Sequence, residues 1–189
     1  MATLSTEILS ALGPVGAGPA RDDPTLTIAI LAAFCVGIGA TAIMDLWAIF
    51  LRGAFNVASA DYCLVGRWFC HMPAWKFVHQ SIAKAQKKAG ECAVGWVAHY
   101  VIGIIYAVAL VMLMPGDWLQ QPTLLPALLV GLGTLFFPFF VMQPAFGLGI
   151  AAARSPRPAQ ARLRSFSSHM AFGTGLYLAA VPVSLFLSQ

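Results

Sequence analysis

Four side chains are out of keeping with the runs that carry them. Asp45 lies in VGIGATAIMDLWAIFL, His99 in ECAVGWVAHYVIGIIYAVALVMLM, Gln143 in VMQPAFGLG and His169 in RLRSFSSHMAFGTGLY. A carboxylate, two imidazoles and an amide in apolar surroundings can do three kinds of chemistry. His99 and His169, facing each other across a helical bundle, could ligate a haem iron axially, with Gly95, Gly103 and Gly173 leaving room for the porphyrin. His99, His169 and Asp45 could instead hold a divalent metal, since imidazole and carboxylate suit zinc, iron or nickel. The same three could relay protons, with Gln143 in support, because histidine titrates near neutral pH. Haem b and a divalent metal are therefore the cofactors to consider. The plain alternative is structural: such groups can hydrogen-bond one membrane helix to another for only about 1 kcal/mol each. Neither histidine belongs to a motif as specific as a paired CxxC.

The elements that must position these groups follow from composition. Of 189 residues, 59% are hydrophobic and only 10% charged, against roughly 25% charged in a soluble domain. Four runs are long enough to cross a hydrocarbon core of about 30 Å: Leu26–Leu51, Cys92–Met114, Thr123–Met142 (with a continuation towards Ala153) and Leu163–Leu187. Pro138 and Pro182 predict kinks in the last two. The expected fold is an all-α membrane bundle of four transmembrane helices with a cytoplasmic amphipathic interfacial segment at 52–90, preceded by a tail over 1–25. In that tail Ser5–Leu12 reads as a short helix and Gly13–Pro19 as a linker.

Basic residues set the orientation. Arg52, Arg67, Lys76, Lys84, Lys87 and Lys88 lie between the first two spans, and Arg154, Arg157, Arg162 and Arg164 between the last two. The turn at 115–122 has Asp117 and no basic residue. Positive loops stay inside, so both termini are expected in the periplasm. The net charge of +4 is thus a topology signal, and nucleic acid is not an expected partner. On the same reading Cys63, Cys70 and Cys92 face a reducing side and are expected as free thiols. Rise alone places Asp45 roughly 10 Å, His99 roughly 12 Å and His169 roughly 8 Å from that inner boundary.

Spacing brings small residues onto the polar faces. Glu91, Gly95, His99, Gly103 and Ala107 recur every fourth residue; Gly37, Thr41 and Asp45 share a face, as do Ser165, His169 and Gly173. Small residues at that interval let membrane helices approach closely. Gln143 shares a face with Gly147 only if helix continues through Pro144. Tyr100 and Tyr177 are candidate hydrogen-bond partners. In the inner loop, Pro73–Ala89 reads as an amphipathic helix with Trp75, Val78, Ile82 and Ala85 as its apolar stripe. Ala60–Cys70 is apolar and aromatic but too short to span. Cys70, His71 and Met72, with Cys63 and His79 nearby, form a secondary cluster of soft ligands that would suit copper(I).

Several strings occur together: GIGATAIMDLW, DYCLVGRW, GWVAHYVIG, QPTLLPALLVG, MQPAFGLGIAAAR and RLRSFSSHMAFGTGLY. Jointly they resemble an uncharacterised family of bacterial four-span inner-membrane proteins, domain of unknown function 2938. The resemblance runs from about Gly37 to Tyr177 and contains Asp45, His99, Gln143 and His169. It implies a bacterial inner membrane and brings no activity with it.

Two functions are expected in order. The first is a ligand-handling protein whose Asp45, His99, His169 and Gln143 form an inward-facing site for a metal, haem or protons. The second is an accessory or assembly subunit that packs against a membrane-protein partner or a further copy of itself. There Trp47, Phe136, Phe137, Phe139 and Phe140 would meet lipid or subunits. No nucleophile is paired with the polar groups and no catalytic residue is assigned, so an enzyme ranks third.

Overall fold

The structure, a computed structural model, describes residues 24–114 and 118–188. The N-terminal tail up to residue 23, with its expected helix at Ser5–Leu12, and Asp117 lie outside the described residues. Five helices carry the fold: α1 Pro24–Phe55, α2 Tyr62–His71, α3 Glu91–Leu113, α4 Leu124–Thr134 and α5 Pro158–Leu187. Four stretches are long and apolar enough to cross a membrane, namely Thr27–Phe55, Glu91–Leu113, Leu124–Ala145 and Pro158–Leu187. These are the four expected spans, three of them with added turns. Large apolar side chains such as Leu46, Ile49, Val97, Ile105, Leu129 and Leu185 stay exposed on their outer faces, as a lipid-facing bundle requires.

α1 packs along both α5 and α3, and α5 packs along α4; α3 and α4, adjacent in sequence, touch far less. The end away from the basic loops is dry. Val36, Ala40, Ala107, Leu110, Leu176 and Ala180 are essentially without solvent exposure there, and Trp118 and Leu119 of the connecting turn close over them. At the basic end a second cluster forms around Trp68, Ile82, Ala145 and Phe146.

The short helix α2 lies against the first turns of α3 because two glycines meet. A Cβ on Gly66 would collide with the Glu91 carbonyl, and one on Gly95 with the Tyr62 carbonyl. Arg67 then reaches Glu91: its Nε and Nη2 donate to the two carboxylate oxygens at 2.9 and 2.6 Å, and both residues are buried. Its Nη1 donates to the carbonyls of Ile82 and Ala83 at 3.2 and 3.1 Å. Arg67 is therefore an internal structural cation rather than one of the loop charges that mark sidedness.

The amphipathic helix expected over Pro73–Ala89 is not formed; the α-helix between the first two spans is α2. That stretch holds only the 3₁₀ turns Met72–Ala74 and Ile82–Lys84. Trp75 is 84% and Val78 75% exposed while Ile82 is 3% exposed, so the proposed stripe does not share a face. Backbone contacts override the helical periodicity. The His79 and Ile82 amides donate to the Ala145 and Phe146 carbonyls at 2.8 and 3.2 Å, and Arg67 holds the carbonyls that a helix would need.

The third span is irregular where Pro138 lies. α4 gives way to a π-helical stretch, Phe137–Met142, followed by one helical turn, Gln143–Ala145. Pro138 supplies no amide donor and its ring crowds the preceding turn, which favours such a bulge. Helix stops at Ala145 and Gly147 adopts a φ of 86°, so Gln143 and Gly147 share no helical face. The continuation towards Ala153 is likewise broken, into the 3₁₀ turn Ile150–Ala152.

Candidate functional site

Asp45 of α1 is the hub of the buried polar groups. His99 Nε2 lies 3.0 Å from its Oδ1, and the Tyr100 hydroxyl donates to Oδ2 at 3.1 Å. Both partners come from one turn of α3, brought to α1 by a close crossing at which a Cβ on Gly37 would meet the Ile104 backbone at 2.6 Å. The Tyr62 hydroxyl approaches Oδ1 at 3.5 Å, the outer limit of a hydrogen bond, and its ring stacks on His99 with centroids 4.1 Å apart. Burial, and then the neighbouring Asp45 carboxylate, push the Tyr62 phenol well above its ordinary range. Tyr62 thus stays a hydroxyl donor.

His169 is held from the other side. α5 meets α4 where Gly131 and Gly173 pack together; a Cβ on Gly131 would lie 2.6 Å from the His169 carbonyl. The buried Thr134 hydroxyl donates to the Gly131 carbonyl at 2.6 Å, and His169 Nδ1 lies 2.7 Å from the Thr134 Oγ1. A hydroxyl has one proton, and it is committed to the carbonyl. His169 must therefore donate from Nδ1, which leaves Nε2 as the acceptor of the neutral ring. Gln143, 6% exposed, donates from Nε2 to the Ser165 hydroxyl at 3.4 Å, while its Oε1 is buried without a hydrogen-bond partner among the described residues.

Asp45, His99, His169 and Gln143 all line one cavity of about 690 Å³. Four spans contribute to it, and Arg52, Asp61 and Arg164 line it at the basic-loop end. Thr41, Gly103 and Phe172 line its deep end, beyond which the dry core begins. The sequence therefore names four residues that share one chamber. It misses Tyr62 and Thr134, which orient the two histidines. The outward signal for Thr134 is its position in the apolar run of the third span; Tyr62 has none, because its segment lies outside every span. Tyr177 packs with the apolar core instead of joining the site.

The fit of the cofactors considered above can be tested on these contacts. His99 Nε2 is taken by Asp45, so an axial pair of histidines would require that bond to break. The glycines do not leave porphyrin room. Gly103 faces the Thr41 side chain, Gly95 the Tyr62 carbonyl, and Gly173 the Ala127 carbonyl at 2.8 Å from an added Cβ. Haem does not fit this arrangement. Among the described residues no group of three or more His, Cys, Asp or Glu side chains is placed to hold a metal ion. His99, His169 and Asp45 share a cavity without forming a coordination set.

The secondary cluster does not assemble either. A His71 ring nitrogen lies 3.0 Å from the Gln86 carbonyl, Met72 packs into the lower core, and Cys70 is a free, half-buried thiol. Cys63 is bonded to Cys92, which corrects the expectation of free thiols for this pair; Cys35 and Cys70 are free. The bond follows from the Gly66–Gly95 crossing, which sets the first turn of α2 on the first turn of α3. His79 stacks edge-on to His71 at 5.1 Å with both ring nitrogens buried and unpartnered.

Residues 34–183 match the family described as "Protein of unknown function (DUF2938)". No curated protein and no solved structure matches the chain.

Proposed function

The chain belongs to the DUF2938 family, and we propose that it is a multi-pass membrane protein that takes up and releases protons through a cavity open on one side only. Asp45 and His99 are the exchanging pair, His169 is a second acceptor, and Gln143 supports it. One observation carries this reading: a carboxylate and an imidazole 3.0 Å apart line a chamber that reaches the basic loops and ends at a dry core. Ionisable groups in a span are costly and usually serve a cavity or a relay. An imidazole against a carboxylate can accept a proton without leaving an uncompensated charge.

The cavity mouth belongs on the cytoplasmic side of a bacterial inner membrane in this reading. Arg52, Lys76, Lys84, Lys87 and Lys88 in one loop, with Arg154, Arg157, Arg162 and Arg164 around the other, keep that end inside. Setting Arg67 aside as an internal ion pair leaves the asymmetry intact. The termini then face the periplasm.

Infrared difference spectra between acid and neutral pH, recorded on reconstituted protein, test the proposal. Wild type should show a carboxyl band and an imidazole band; Asp45→Asn should remove the first and shift the second, and His99→Ala should shift the first. Superimposable spectra from wild type and Asp45→Asn would sink the reading.

A further inference from the structure

The cavity is lined by more than a proton needs. Its acceptors are unevenly served: Asp45 receives three donors, whereas Gln143 Oε1 has no partner and His169 Nε2 is the free acceptor of its ring. The partners of Asp45 are an imidazole and two phenols, with no Lys or Arg side chain among them, so the negative charge of its carboxylate form has no fixed cation beside it. Three hydrogen bonds stabilise that charge and do not cancel it. The guanidinium groups that line the chamber, Arg52 and Arg164, are at its mouth, roughly 10 Å and 8 Å along their helices from Asp45 and His169. Arg164 is engaged there with the Ala58 carbonyl at 3.1 Å. The walls include the rings of Tyr62, Trp96, Tyr106, Phe137 and Phe172.

We infer that this chamber binds a lipophilic amine in its protonated form. The three requirements coincide in that class alone. An ammonium or amidinium group brings N–H donors to Gln143 Oε1 and His169 Nε2, and its charge balances Asp45. Ring faces attract cations, most strongly where water is excluded. The apolar body of the ligand occupies the remainder of a volume in the range of drug-sized pockets. A phenol or hydroquinone would serve the two acceptors and leave the carboxylate charge unanswered. Because protonation of Asp45 removes the charge that the amine needs, ligand and proton compete for the site, and a cation releases a proton to the mouth side only where it displaces one from protonated Asp45. The ligand class rests on the cavity itself; the competition rests on the proton-exchange reading above.

The test is a fluorescence titration of the full chain in mild detergent with 9-aminoacridine, a protonated aromatic amine, against acridine, its neutral analogue at the same pH. The amine should bind at least about tenfold more tightly than acridine, the equivalent of one modest electrostatic interaction, with affinity rising as pH rises. Asp45→Asn should lose about tenfold or more in amine affinity, and Gln143→Leu should weaken binding by a smaller factor, with elution profiles confirming that each variant is folded. Equal binding of acridine, or an unimpaired Asp45→Asn, would overturn the inference, as would binding of a hydroquinone in place of the amine. Asp45-dependent binding with no pH dependence would leave the ligand class standing and remove the proton exchange. Infrared titration bands with no amine binding would do the reverse.

Discussion

Tyr62 lies on the ring of His99, with centroids 4.1 Å apart and 24° between the planes. The residue that fixes the intramembrane imidazole thus comes from α2, a helix too short to cross the membrane. Such a ring pair is worth about 0.5–1.5 kcal/mol beyond its buried area. Tyr62→Phe keeps the stack and loses only the long contact to Asp45, so its His99 infrared band should stay near wild type. Tyr62→Ala uncovers the ring and should shift that band. Identical spectra for the two variants would show that the stack does not orient His99.

Arg67 and Glu91 tie the same helix to α3. With both side chains buried and two hydrogen bonds between them, removing one partner strands the other's charge. Arg67→Met should therefore lower stability more than an apolar replacement of both residues does. Thermal unfolding in detergent of the Arg67→Met, Glu91→Leu and doubly substituted proteins checks this. Additive losses in the double variant would mean that the two charges do not act as a pair.

The residues of the candidate site are more legible than the loop beside them, and the reason is local against long-range information. Asp45, His99, His169 and Gln143 declare themselves because each is costly in an apolar run, and helical rise alone assigns the first three comparable depth. The buried face of Glu91, Gly95, Gly103 and Ala107 follows from four-residue spacing. Tyr62 does not declare itself, since its role depends on Gly66 meeting Gly95 across a long loop. Gly95 and Gly173 read as room for a porphyrin when each is room for a neighbouring backbone, and Gly103 when it is room for the Thr41 side chain. The stretch Pro73–Ala89 fails in the opposite sense: its periodicity is helical, but hydrogen bonds to Ala145 and Phe146 hold it out of an α-helix. Local pattern says nothing about contacts supplied by a distant span.

The Cys63–Cys92 bond lies at the end of the bundle where the basic loops gather. Disulfides persist in oxidising compartments, so its redox state reports sidedness. With the mouth facing the cytoplasm, cells trapped with acid and alkylated at once should yield both cysteines modified. Protein purified in air should yield the linked peptide, because α2 and α3 already hold the pair together. Its closure, which spans a separation of 29 residues, should then raise thermal stability by up to about 3–4 kcal/mol. A linked peptide in acid-trapped cells would place this end of the bundle on the oxidising side and reverse the proposed orientation.

His79 predicts how the covering loop responds to acid. Burial, and then the neighbouring His71 and Lys76, hold its imidazole below the usual histidine range, and both ring nitrogens lie buried without partners. Above the unfolded value of about 6.5 the ring is neutral folded or unfolded, and this group gives stability no pH dependence. Between the unfolded value and the lowered folded one, the unfolded chain binds the extra proton, so stability falls as pH falls. Below the folded value both forms are protonated and the slope vanishes. The first structure to loosen should be the strap whose His79 and Ile82 amides bond to Ala145 and Phe146. Hydrogen exchange measured at neutral and mildly acidic pH, taken relative to the intrinsic amide rate at each pH, should show accelerated exchange at those two amides in acid. His79→Phe, which removes the titrating group and keeps a ring, should abolish that acceleration; an acid response unchanged in this variant would assign the sensitivity to another group.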